Sequence, residues 1–263
     1  MILKEFKPVT PSTRNLIRIK NKELLKKPLL KTDNVKLKAH AGRNSLGRIT
    51  VRHRGGGHKK KYRKVNLFRS LNGIFIVLSL EYDPNRTANI ASIYNILTKK
   101  YEYIIAPKNI KTGDILKSGT IAEVKNGHAL PIYKIPIGSL IHCISLKKNG
   151  RAILSRSAGS FCELIEKQKS TACIKLRSKK RRYISLDCFA SIGSVSNEFS
   201  FLTNIGKAGR SRWLNKRPIV RGVAMNPIDH PHGGGEGKTS GGRTAVTPWG
   251  KPGKNKKTSR SKY

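Results

Sequence analysis

Apolar positions recur in short runs through the middle of the chain and lose their period towards both ends. Ile74-Phe75-Ile76-Val77-Leu78 is an apolar run rich in β-formers, and Tyr82-Asp83-Pro84-Asn85-Arg86 after it reads as a turn. Ile90 to Leu97 and Tyr101 to Ile105 are predicted as further strands, closed by Pro107 and by Lys111-Thr112-Gly113-Asp114. Short strands separated by turn signals every ~8–12 residues predict a small barrel. A second β unit follows. Leu140 to Leu146 alternates so as to put Leu140, His142, Ile144 and Leu146 on one face, and Asn149-Gly150 is a strong hairpin turn into Arg151 to Leu154. Thr171 to Leu176 and Tyr183 to Leu186 are predicted to pair across the basic turn Ser178 to Arg182. Before this region the first forty residues carry breaks at Pro8, Pro11 and Pro28 and no sustained period. Ser12-Thr13-Arg14 and Lys26-Lys27 in that leader suit phosphate contact, or else belong to a solvated tail.

Charge changes this picture. Among 263 residues, 55 are Lys or Arg and 14 are Asp or Glu, a formal net charge of +41. Residues 1–72 hold 21 of the cations against 3 acids, and residues 206–263 hold 14 against 2, so the flanks are the most densely charged parts. Nucleic acid is the first candidate partner for such a chain and an anionic membrane the second. No run approaches the roughly 20 apolar residues of a membrane span, so no span is expected. Charge already present in Met1 to Lys7 excludes a signal-peptide core, and no cleavable transit peptide is expected. One or two small cores in the middle, with the flanks ordering on RNA, is the expected organisation. The cysteines at 143, 162, 173 and 188 form no CxxC pair and read as small buried hydrophobes rather than zinc ligands or disulfides. His142 reads as a strand histidine with a local partner and His128 as a loop residue.

The most constrained stretch is Arg217 to Gly237, which contains Arg221, Asn226, Asp229, His230, His232 and the run Gly233, Gly234 and Gly235. Proline fixes φ and glycine admits close backbone approach, so this is a loop specified residue by residue. Its two histidines with Asp229 and Glu236 could ligate a metal or act in acid–base chemistry. His-x-His is a weak metal signal, however, and no nucleophile–base pair accompanies it. In a strongly basic field the loop is better read as lying against phosphates. There His230 is expected in its charged, donating form. Gly47 to Arg63 repeats the theme. Ile49-Thr50-Val51 can begin a strand, and Arg52, His53 and Arg54 lead through Gly55, Gly56 and Gly57 into His58, Lys59, Lys60, Lys61, Tyr62 and Arg63. Glycines between two basic clusters let the backbone approach a sugar–phosphate chain, and Tyr62 can stack on a base. Past Ile205, small residues alternate with Lys207, Arg210 and Arg212 before Trp213, as suits a chain threading a narrow groove. Trp213 could stack on a base or pack on the barrel. Thr247-Pro248-Trp249-Gly250 repeats the idea before the basic end, Lys251 to Lys262.

RGVAMNPIDHPHGGGEG with TPWGKP at 247–252 resembles the C-terminal signature of the universal large-subunit ribosomal protein two family. GRITVRHRGGGHKKKYR at 47–63, EYDPNR at 81–86, RSAGS at 156–160 and GKAGRSRW at 206–213 agree with it, in the family's order and across nearly the whole chain. The resemblance implies a mainly β fold of two small barrels in tandem, an oligonucleotide-binding barrel and then an SH3-like barrel, with long basic extensions. The expected boundaries are 1–46 for the N-terminal extension, 47–127 and 128–204 for the barrels, and 205–263 for the C-terminal extension. It further implies a structural, non-enzymatic role with no cofactor or metal. The protein would bind large-subunit rRNA beside other ribosomal proteins, support the peptidyl transferase region and contact the small subunit. His230 matches the loop histidine discussed in that family. Besides the residues already named, Arg86 of EYDPNR is assigned to RNA. The wording PHGGGEG is of bacterial or organellar type, and the similarity of the leader together with richness in Lys, Ile and Asn points to a mitochondrial ribosome ahead of a plastid or bacterial cytoplasm. Two other classes compete with this reading: an enzyme or metal protein acting on RNA through the His230/His232 loop, and a free nucleic-acid chaperone.

Overall fold

A computed structural model of the chain describes residues 3–20, 23–25, 27–237, 239 and 241–254. Lys26 of the leader and most of the basic end, from 255 on, lie outside the described residues. Three short strands come first: β1 (Leu3–Glu5), β2 (Ile17–Ile19) and β3 (Asn34–Lys36). Then follow β4 (Lys61–Arg63), β5 (Gly73–Glu81), β6 (Ile90–Asn95), β7 (Lys100–Ile105) and β8 (Ile115–Ser118). The second half contributes β9 (Ala129–Pro131), β10 (Leu140–His142), β11 (Ile144–Ser145), β12 (Ala152–Leu154), β13 (Cys162–Lys167), β14 (Thr171–Lys175), β15 (Arg181–Ser185) and β16 (Phe189–Ile192). One short helix, α1 (Ala208–Trp213), follows. The fold is mainly β, as expected from the apolar runs.

Ten strands form one sheet in the order β15-β14-β13-β10-β16-β9-β8-β5-β6-β7. Neighbours are antiparallel except β8 and β9, which run parallel through the single pair Ser118 and Ala129. Each side of that seam has its own apolar core. Phe75, Val77, Ile93, Ile104 and Leu116 fill one. Leu130, Ile132, Ile141, Ile144, Leu164 and Ile174 fill the other. A smaller cluster of Ala88, Ile105, Ala158 and Val195 draws on both halves. The hairpins predicted at Asn149-Gly150 and across Ser178–Arg182 are present as β11–β12 and β14–β15, the latter strand beginning at Arg181 rather than Tyr183. All four cysteines are free thiols.

The chain packs as two compact units. One contains residues up to 39 and 58–210, and the other contains 40–57 with the described residues from 211 onward.

Four local expectations are corrected. The leader is not a loose tail, because β1 pairs with β2 and β3 with β4. Its backbone also satisfies a buried carboxylate: Leu29 N–H donates to Glu81 Oε1 at 3.0 Å, and Leu30 N–H to the Tyr103 hydroxyl at 3.0 Å. Ile49-Thr50-Val51 forms no strand: Ile49 makes an isolated bridge to Arg43, and Thr50 N–H and Val51 N–H both donate to Gly42 O. The alternation at 140–146 breaks at Cys143, whose φ of 49° turns the chain. β10 thus stays in the large sheet while β11 pairs with β12, and Ile141 and His142 are both buried. Finally, Ala208 to Trp213 is helical rather than extended, since its small and basic residues tolerate a helical turn.

Candidate nucleic-acid interface

In the smaller unit, two stretches some 150 residues apart in sequence are zipped together. Arg54 and Lys216 form an antiparallel bridge, flanked by Gly55 N–H to Asn215 O at 3.3 Å and Arg217 N–H to His53 O at 3.0 Å. Glycine is required at this junction: a Cβ on Gly57 would lie 2.8 Å from both the nitrogen and the Cβ of Asn215. The pairing brings Arg43, Arg52, His53, Arg54 and Arg217 around one open cleft, with Asp229 as its carboxylate. Several cations facing one carboxylate leave the cleft strongly positive, which suits a polyanion. The Arg52 guanidinium lies 5.8 Å from the centre of the Trp249 ring, a cation–π contact that ties the TPWG turn to the cleft.

The loop Arg217 to Gly237 is held by its own backbone, as its prolines and glycines predict. Asp229 N–H and His230 N–H donate to Asn226 O, Gly233 N–H to His230 O at 2.8 Å, and Gly234 N–H to Met225 O at 3.1 Å. Gly233 packs so closely that a Cβ there would enter the Asn226 carbonyl. His230 is buried, 7% exposed, and stacks on His232 with ring centres 5.1 Å apart. His232 N–H donates to His230 Nδ1 at 3.0 Å, and Val246 N–H donates to His232 Nε2 at 2.9 Å. A nitrogen that accepts a hydrogen bond carries no proton, so the His230 ring keeps its hydrogen on Nε2. The His230 pKa is correspondingly lowered, first by burial and then by His232 and Arg52 nearby. The expectation of a charged, donating His230 is corrected on that ground: its Nδ1 is already committed as an acceptor.

The other predicted residues separate by environment. Lys59, Lys61 and Tyr62 are exposed, whereas Arg63 is 5% exposed and turned inward. Arg63 lies 3.8 Å from Glu81 and 3.6 Å from Asp83, so its side chain serves an internal ion network and not the surface. Arg86 donates to Asp83 at 2.6 Å and sits 5.8 Å from the ring centre of Tyr62 on β4. Arg210 Nη1 reaches Ile205 O and Arg212 Nη1 reaches Lys216 O. Lys207 and Trp213 are exposed on and beside α1, and Arg221, Asn226 and Asp229 are exposed in the loop. Gly234 and Gly235 both have φ near +88°, the backbone region that glycine supplies without strain. Arg43 and Trp249 were not singled out as site residues in the sequence. Arg43 sits in GRNSLGR, and only the folding of 40–57 onto 211–254 places it at the cleft.

His142 and His128 are internal. His142 Nδ1–H donates to Gly193 O at 3.0 Å, and burial lowers its pKa to about 4. Burial likewise pushes the Cys143 thiol up to about 12, so it is no nucleophile. Among the described residues no group of three or more His, Cys, Asp or Glu side chains converges as a metal site would require. No helix among them is long and apolar enough to cross a membrane.

Two family models match the chain, one before and one after the β8–β9 seam. Residues 31–118 match the family described as Ribosomal Proteins L2, RNA binding N-terminal domain, and residues 125–250 match Ribosomal Proteins L2, C-terminal domain. The chain belongs to the ribosomal protein L2 family. Large ribosomal subunit protein uL2 of Rickettsia typhi is 51% identical over 264 residues, covering 100% of this chain and 96% of the relative. The uL2 proteins of Rhodospirillum centenum and Methylorubrum extorquens are each 48% identical, over 100% of this chain and 96% and 95% of theirs. The L2 family is a structural one of the bacterial type here, and the enzyme alternative finds no support in it. Both glycine-rich stretches of the cleft fall inside the matched L2 regions.

Proposed function

We propose that the chain is a structural constituent of the large ribosomal subunit that binds large-subunit rRNA, with other ribosomal proteins as neighbours. The observation that carries this is the cleft itself, where two glycine-rich stretches distant in sequence converge on Arg43, Arg52, Arg54 and Arg217. The strip Lys59 to Tyr62, the region around α1 and the His230 loop act with it as RNA contacts, Arg63 excepted. His230 and His232 shape the loop and do no acid–base chemistry.

Finer parts of the reading rest on the family resemblance. They are support of the peptidyl transferase region, contact with the small subunit, and two tandem barrels bounded near residues 47, 127 and 204 between basic extensions. A mitochondrial ribosome is the proposed location. The leader and the Lys, Ile and Asn richness support it, while the relatives named above are bacterial.

Binding of the full chain to large-subunit rRNA across a salt series tests the central reading. If about ten phosphates are neutralised, log K should fall against log salt with a slope of several units, at ~0.7 per phosphate on single strands. A flat dependence would remove the counterion-release basis of the proposal. Co-sedimentation with mitochondrial large subunits tests the location, and recovery only in other fractions would refute it.

A further inference from the structure

One hairpin, unused in the reading above, carries a dense charge. β15 is the outermost strand of the ten-stranded sheet, with β14 as its neighbour. Lys175, Arg177, Lys179, Lys180, Arg181 and Arg182 lie within eight consecutive positions here, and all are exposed. Glu163 reaches Lys175 at 3.3 Å, while among the described residues no carboxylate pairs with the other five. Lys175 and Arg181 are direct cross-strand partners, and like charges placed opposite each other destabilise a ladder.

The hairpin is nonetheless rigid. Ala172, Ile174 and Ile184 anchor its inner face in the core, and the turn is closed by Leu176 N–H to Lys180 O and Lys179 N–H to Leu176 O. Tyr183 lies two residues beyond Arg181, hence on the same face of β15, and is 58% exposed. An outward aromatic ring beside fixed cations is the arrangement that stacks a base while neutralising its phosphates. Charges on an edge strand also block unwanted strand pairing. That role accounts for Arg181 and Arg182, but not for Arg177, Lys179 and Lys180 in the turn or for the outward Tyr183.

We propose that the β14–β15 hairpin is a separate RNA-binding element that holds an unpaired RNA segment, its cations on phosphates and Tyr183 against a base. This rests on the RNA reading given above. The test uses the full chain with Lys180→Gln, Arg181→Gln and Arg182→Gln combined, and with Tyr183→Phe and Tyr183→Leu singly. Binding to large-subunit rRNA is measured across salt together with nucleotide-resolution protection of the RNA backbone. The triple variant should show a salt slope shallower by about two units and affinity lower by on the order of 10²-fold at ~0.1 M salt, from three phosphates at ~0.7 each. It should lose one protected RNA segment and keep the rest. Tyr183→Phe should bind like the parent, and Tyr183→Leu roughly fivefold or more weakly. Without RNA, thermal unfolding of the triple variant should be unchanged or shifted upward, because a like-charge pair has gone. Unchanged affinity, slope and protection in the triple variant would overturn the hairpin proposal alone. If that variant also aggregates, its cations are edge guards. Failure of the parent chain to bind this RNA would overturn both proposals.

Discussion

His232 N–H donates to Nδ1 of His230, two residues earlier and 3.0 Å away, so one histidine orders the backbone of the other. The same logic runs one step further, from Val246 N–H to His232 Nε2. Removing the first acceptor should loosen the loop without disturbing the sheet. In His230→Ala, hydrogen exchange at the His232 amide should quicken by tenfold or more and rRNA affinity should fall. His230→Asn, whose Oδ1 can accept in place of Nδ1, should restore much of both. Equal behaviour of the two variants would show that the acceptor does not hold the loop.

Gly233 leaves no room for a side chain, since a Cβ would enter the Asn226 carbonyl and backbone cannot yield as a flexible side chain can. Gly233→Ala should therefore displace the turn and weaken RNA binding. Gly209→Ala, with nothing within 4 Å and a helical setting, should be neutral or slightly stabilising. Comparing the two by rRNA affinity checks this.

Glu81 binds the leader from inside the fold. It is fully buried, accepts from Tyr103 at 3.0 Å and from Leu29 N–H, and faces Arg63. Glu81→Gln leaves a buried guanidinium short of a partner and should cost about 3–5 kcal/mol. Limited proteolysis should then cut near residues 27–36 faster than in the parent chain. Undiminished stability in denaturant would show that Asp83 alone suffices for Arg63.

The buried His142 makes the second half of the sheet acid-sensitive. Its pKa falls from 6.5 to about 4 on folding, so between these values the unfolded chain binds the extra proton. Stability is then present in full above about pH 6.5 and is lost as the pH falls towards 4, by ~3 kcal/mol at most. His142→Asn keeps a donor towards Gly193 O but cannot titrate. Denaturant unfolding at pH 7, 5.5 and 4.5 without RNA should show a smaller acid loss in the variant.

The strands from Gly73 to Ile105 were legible because β5 alternates buried and half-buried residues along most of its length, and such patterns survive in sequence. The loop Arg217–Gly237 was legible for the opposite reason, its prolines and glycines forbidding regular structure. What sequence could not convey was pairing at a distance. β1, β2 and β3 span three residues each, too few to show a period, and their order comes from partners such as Glu81 and β4. Arg63 looks like one more cation after Lys59, Lys60 and Lys61, yet it is buried at the end of β4 against two carboxylates. Cys143 likewise gave no sign that it would take a positive φ and divide one apolar run between two sheets. The neutral state of His230 depends on which backbone N–H groups reach it, and no motif encodes that.

Because the cleft joins residues 40–57 to residues from 211 onward, it has an order of birth. During synthesis the first glycine-rich stretch emerges some 150 residues ahead of its partner, a delay on the order of ten seconds at ~5–20 residues per second. Through that interval the ten-stranded sheet can close while Arg52 and Arg54 wait with no Arg217 beside them. The cleft is complete only once Asp229 has joined Arg217 beside them.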